Sequence, residues 1–257
     1  IATGRFTLPV VAIIVLFIWL IDMGQWTEIF SIFTYAITGY LLIELNTAFS
    51  LIRVRTTLHV SIYWITTSIF TSLHNFQDTT FAPILFVASL FCLLNSYEHN
   101  RPTPSIFFSS FFLSAASILF PYIIYYAPLL ILSMINLRCM SIKSFFASIT
   151  GLIAPYWFFF AYTLWTDQMD LFLTPFEDII KISPLDFSSV KNNELVSSIV
   201  ILSLSFISSI YYLFNSYLDK IRSRASFSLI IFIELWSLML WLLNPSQTIG
   251  IMEIQVV

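Results

Sequence analysis

Residues 105–137 read SIFFSSFFLSAASILFPYIIYYAPLLILSMINL, 33 residues without a charge. As one helix at 1.5 Å per residue this stretch would run to about 50 Å, well beyond a bilayer core of about 30 Å. Pro121 is the natural break, because proline lacks a backbone donor and disfavours helix in the residue before it. The stretch therefore reads as a hairpin, either two crossings or a re-entrant pair. Apolar runs of the same character recur at 7–21, 29–49, 57–73, 81–94, 144–165, 195–218 and 225–243. Together with 105–120 and 121–137 they predict an all-α, polytopic transmembrane bundle of about nine spans, a single domain over 1–257.

Composition sets the class. Of 257 residues 58% are hydrophobic and 10% charged, and the mean hydropathy is +0.89. A soluble domain is about a quarter charged, and a disordered chain combines low hydrophobicity with high charge; both classes are excluded. A net charge of −3 and a pI near 5.5 leave no basic footprint for nucleic acid. The first run lacks a small-x-small cleavage site after Leu20 and is expected to stay as a span. The chain starts at Ile1 and closes in the apolar run 249–257. Both ends are expected to be cuts in a longer protein, with the last run a candidate tenth span.

Nine spans put alternate connections on opposite sides. One side collects Arg5, Arg53, Arg55, Arg101, Arg138, Lys143, Lys220, Arg222 and Arg224, nine of the eleven Lys and Arg residues; the other receives Lys181 and Lys191. The positive-inside rule then makes the first side, and the N-terminus, cytoplasmic. Asp22, Glu28, Asp78 and Glu253 fall on the outer side, and Trp26, Tyr122, Tyr125, Tyr126, Trp165 and Trp241 near the outer ends, as an aromatic belt.

The one long connection, 166–194, is expected outside. Six acids (Asp167, Asp170, Glu177, Asp178, Asp186, Glu194) face two lysines. Thr174-Pro175-Phe176-Glu177 reads as a helix start, with Thr174 as cap, Pro175 at the first position and Glu177 closing a capping box. Phe172, Phe176, Ile179 and Ile180 share one helical face, and Ser183-Pro184 ends the helix. A short amphipathic helix on the outer leaflet is expected there, covering the bundle's end or serving as a lid or docking surface.

Ionisable groups at membrane depth are the best pointers to function, since each costs roughly 2.5–3.5 kcal/mol at a helix centre. Glu44 lies nine residues before Arg53 and Glu234 ten after Arg224, about 14–15 Å of helix from the cytoplasmic side. Both are expected to face the bundle interior as a substrate- or ion-binding pair, or to bond to helix carbonyls and Ser, Asn or Tyr side chains. Ser110, Ser114 and Ser117 recur at helical spacing, as do Ala147, Gly151 and Ala154. Small residues on one face let helix backbones approach in lipid. His59, His74 and His99 are scattered, and Cys92 and Cys139 form no CxxC. Neither a metal centre nor a cofactor is implied, and five glycines leave no phosphate-cradling loop.

Arg5-Phe6-Thr7-Leu8-Pro9, the run Ala115-Ala116-Ser117-Ile118-Leu119-Phe120-Pro121, and Gly151-Leu152-Ile153-Ala154-Pro155-Tyr156 resemble an uncharacterised family of bacterial polytopic inner-membrane proteins, a domain of unknown function. That resemblance implies a multi-pass inner-membrane protein and brings no activity with it. The hairpin, the basic turn from Arg138 to Lys143 and Pro155-Tyr156-Trp157 are more loosely similar to membrane glycosyltransferases that use polyprenyl-phosphate sugars. Those enzymes carry a catalytic acid in a long first outer loop. Here that loop spans only 22–28, and Asp22 stands where such a base would be. Three functions follow. The first is a non-enzymatic envelope component or accessory subunit, with the bilayer and other membrane proteins as partners. The second is a transferase acting on a lipid-linked sugar, and the third a secondary transporter using Glu44 and Glu234.

Overall fold

Prolines set where many of the helices begin. Pro83, Pro104, Pro121, Pro128 and Pro245 each occupy one of the first two positions of a helical segment, where a missing N–H breaks no intrahelical bond. The computed structural model describes residues 7–22, 24, 26–52, 56–70, 73–74, 76–97, 102–180, 187, 190–215 and 221–256, with backbone alone for Asp22, Asp178 and Asn193. Its helices are α1 (Thr7–Asp22), α2 (Glu28–Phe49), α3 (Leu58–Ile69), α4 (Ala82–Leu94), α5 (Thr103–Leu119), α6 (Ala127–Asn136), α7 (Ile142–Trp165), α8 (Met169–Ile180), α9 (Asn192–Asn215), α10 (Ile221–Leu243) and α11 (Thr248–Gln255). Tight 3-10 segments at Asp78–Phe81, Pro121–Tyr126 and Pro245–Gln247 lead into α4, α6 and α11. No strand occurs among the described residues.

The chain is thus all-helical, as expected. Four helices are long and apolar enough to cross a membrane: Glu28–Phe49, Ile142–Trp165, Glu194–Asn215 and Ile221–Leu243. The other expected spans are shorter: Thr7–Ile21, Asp78–Leu94, Thr103–Leu119 and Pro121–Asn136, with α3 at 12 residues. Length alone therefore carries four crossings, not nine. The basic residues Arg5, Arg53, Arg55, Arg101, Lys181 and Lys220, on which the orientation leans, lie outside the described residues. Large apolar side chains face outward on α1 (Ile13, Phe17), α7 (Trp157, Phe158) and α9 (Ile207, Phe214), a contiguous character that proteins in water rarely show.

The helix break at Pro121 is present. Phe120 leaves α5 in an extended conformation, and Trp236 of α10 donates its indole N–H to the Tyr125 carbonyl in the segment that follows (2.8 Å). Tyr122, Tyr126 and Trp241 are buried there rather than set at an interface; Trp26 and Trp165 are the exposed members of the expected belt. The run 249–257 does not extend as a span within the described residues. Its eight-residue helix α11, about 12 Å long, is tucked against α4, α9 and α10.

Helix α5 is held between α4 and α7. On one side Ser89 donates to the Ser109 carbonyl at 2.8 Å. On the other, Ser110 donates to Ser148 (3.0 Å), Ser114 to the Leu152 carbonyl (2.6 Å), and Ser117 pairs with the Tyr156 hydroxyl (2.7 Å). The serine stripe is packing glue, as the spacing suggested. Gly151 makes the approach possible: a Cβ there would sit 2.5 Å from the Phe107 carbonyl oxygen and 2.9 Å from Ser110 Cβ.

Helix α8 starts five residues before the expected Thr174, with Pro175 inside it. Thr174 is no cap; its hydroxyl bonds back to the Asp170 carbonyl (2.7 Å). Packing decides the boundary. Phe172 packs tilted on Phe159 and edge-on to Phe160, Phe176 lies tilted against Tyr156, and Tyr125 donates to the Ile179 carbonyl at 2.9 Å. Part of the apolar face is therefore spent on α7 and on the segment after Pro121, while Phe176 and Ile180 stay exposed. Ser183-Pro184, the expected end, lies outside the described residues.

Replacing Gly151 with valine should force α5 and α7 apart at a cost of about 1–3 kcal/mol, typical of overpacking. Ser148→Ala should cost only about 0.6 kcal/mol, the mean for a hydrogen bond between membrane helices. Equilibrium unfolding in mixed micelles ranks the two; equal losses would mean that close approach is not the limiting contact.

Candidate functional site

One turn of α2, the start of α3 and the middle of α4, α9 and α10 leave a gap that α11 borders at one end. The resulting cavity, about 310 Å³, is mostly apolar, walled by Leu42, Leu45, Phe86, Val87, Ile233 and Ile254. Set into these walls are Asn46, His59, Ser205, Glu234, Ser237 and Gln255. Apolar walls with a few convergent polar groups are the usual form of a small-molecule site.

Glu234 is the only acid among the described residues of this wall, and it is buried. Its Oε2 accepts a hydrogen bond from Ser209 of α9, whereas its Oε1 has no protein partner. Gln255 Nε2 is likewise a buried donor without an acceptor. Asn46 is committed, its Oδ1 accepting from the Ile52 N–H at 3.0 Å. An open acceptor and an open donor therefore line one cavity, and leaving such groups unsatisfied costs about 1–3 kcal/mol each.

Glu44 is not part of the site. Its side chain is exposed, because successive residues of a helix point about 100° apart and it is Leu45 that faces the cavity. The expected pairing of Glu44 with Glu234 across the interior is thus corrected: one carboxyl faces in, the other out. Asp22 is the last residue of α1, and its side chain lies outside the described residues.

The sequence reading missed Glu253. Placed by span counting on the outer side, it is 2% exposed in the bundle. Its Oε1 lies 3.2 Å from the Thr80 hydroxyl and 3.5 Å from the Tyr35 hydroxyl, which is also 3.1 Å from the Leu73 carbonyl oxygen. Glu253 Oε2 and Thr79 Oγ1 are buried without partners. Around them Trp19 stacks on His74 with ring centroids 4.0 Å apart, and Tyr35 packs edge-on to Tyr63. Since α11 is too short to cross a membrane, its carboxyl is governed by protein burial, which pushes it up to about 7; the hydroxyls of Thr80 and Tyr35 that approach it oppose that rise. The available signal was one acid isolated in the apolar run Ile249-Gly250-Ile251-Met252-Glu253-Ile254.

No family model, no curated protein and no solved structure matches this chain. The geometry carries the functional argument alone.

A carboxyl whose pKa is raised on folding stabilises the fold fully below its unfolded value, and that contribution is lost as pH climbs through the folded value. In sodium-free choline buffer the melting temperature should therefore fall between pH 4.5 and about 7. Glu253→Gln should flatten that fall and melt higher than the parent at pH 8, by on the order of 3 kcal/mol in stability. Parallel profiles for the two proteins would place the titration elsewhere.

Proposed function

We propose that this chain is a multi-pass membrane protein that holds a small amphiphilic molecule, bearing an amine or amide group, in the cavity around Glu234. The unpartnered Oε1 of Glu234, buried and set in a mostly apolar cavity, carries the reading. An amine or amide N–H satisfies that oxygen, an amide carbonyl satisfies Gln255, and the rest of the molecule takes up the apolar wall. The protein is on this reading a non-enzymatic envelope component that binds rather than transforms its ligand. Its place is the bacterial inner membrane, with other membrane proteins as neighbours.

In the accompanying topology the shorter apolar helices also lie in the bilayer, giving nine crossings and a cytoplasmic N-terminus. The alternation of Lys and Arg between connections supports this arrangement. So do the outward apolar faces of α1, α7 and α9. Compartment reporters fused at Ser141 and Asn192 should then report opposite sides, and the same side for both would end the nine-span topology.

Binding is tested on purified protein by thermal shift with alkyl amines and amides, against alkyl acids of equal chain length. The amines or amides should stabilise the parent and Glu44→Gln alike. Glu234→Gln should need at least ten times more ligand, about 1.4 kcal/mol of binding free energy. If Glu234→Gln responds as the parent does, the cavity does not bind through this carboxyl.

A further inference from the structure

Two oxygens in the Glu253 cluster are short of partners, and no protonation state repairs this. With Glu253 ionised, the nearby donors are the single hydrogens of Thr80 and Tyr35, and Tyr35 also points at the Leu73 carbonyl. No Lys or Arg among the described residues pairs with it. With a proton on Oε2, the new O–H has no acceptor, because Oε2 has no hydrogen-bond partner. With the proton on Oε1, Oε2 still lacks a donor. The Thr79 hydroxyl, on the same turn as Thr80, is buried without a partner as well. Every polar atom named here is oxygen, and four of the five groups are neutral.

We propose that Glu253, Thr79, Thr80, Tyr35 and the Leu73 carbonyl form a binding site for a monovalent cation of sodium size. Charge and size both lead there. One carboxylate balances one positive charge, whereas a divalent ion would leave an uncompensated buried charge. The hydrogen-bonded oxygen separations of 3.1, 3.2 and 3.5 Å are also the spacing that adjacent ligands take around an octahedral cation at about 2.2–2.5 Å. That is the range of hard cations with oxygen ligands, above the about 2.0–2.1 Å of magnesium. A carbonyl at the chain bend before Asp78–Phe81 and hydroxyls on that turn are the kind of ligands that non-helical backbone supplies inside membrane bundles. The site is separate from the Glu234 cavity and does not rest on that cavity binding anything. α11 joins the two, however, with Glu253 in the oxygen cluster and Ile254 and Gln255 on the cavity wall.

Purified full-length chain in detergent at pH 8 is melted in choline chloride, with sodium or potassium replacing choline at constant ionic strength. Sodium at ten times its half-saturating concentration should raise the melting temperature by about 3–6 °C. Potassium should need at least ten-fold higher concentration. Glu253→Gln should abolish the sodium shift, and Thr80→Val, which keeps the carboxyl and the side-chain volume, should reduce the affinity at least ten-fold. Direct ²²Na binding to each variant gives a second readout if a variant melts poorly. Equal shifts in all three salts, equal potency of potassium and sodium, or a sodium shift retained in Glu253→Gln would each overturn the site.

Discussion

The close approach of α5 and α7 at Gly151 is the contact on which the rest of the bundle is arranged. In lipid there is no hydrophobic drive between helices, so association rests on packing and on hydrogen bonds. A missing Cβ at Gly151 lets Phe107 and Ser110 come against α7, and the serines that follow along α5 convert that proximity into three interhelical bonds. With α5 so held, α4 docks on its other side through Ser89 and Ser109, and the Pro121–Tyr126 segment returns along the end of α5 to receive α10 and α8.

Helix α11 then closes the bundle from within. Gly250 passes so near the Phe120 ring that a Cβ would meet it at 2.6 Å, and this seats the short helix between the polar cluster at Glu253 and the cavity at Glu234. One buried carboxyl, Glu253, lies on this short helix, and the other, Glu234, stands on the cavity that Ile254 and Gln255 help to wall.

The outer helix α8 illustrates how tertiary contact overrides a local signal. Thr174-Pro175 has the chemistry of a helix start, yet the helix begins at Met169 because Phe172 and Phe176 find aromatic partners on α7. Pro175 costs the helix one backbone hydrogen bond, and ring packing over two turns outweighs it. The same contacts seat Phe172 against α7, while Phe176 and Ile180 on that face stay exposed.

Hydropathy and proline placement were enough to read the all-helical class, the break at Pro121, the packing role of the Ser110 and Gly151 stripes and the burial of Glu234, because each depends on local composition or on helical period. Four membrane-length helices were legible for the same reason. The orientation of Glu44 was not, since its helix buries Ser31, Thr34 and Thr38 together with Leu45 and Phe49, a face that hydropathy does not mark. Nor was Glu253, whose surroundings come from Tyr35, Leu73 and Thr80, more than 170 residues away in the chain. Local sequence determined that these segments are helices fit for an apolar environment. Only the three-dimensional assembly decided which acids meet protein and which meet the outside, because burial is a property of neighbours that the chain brings together after its helices have formed.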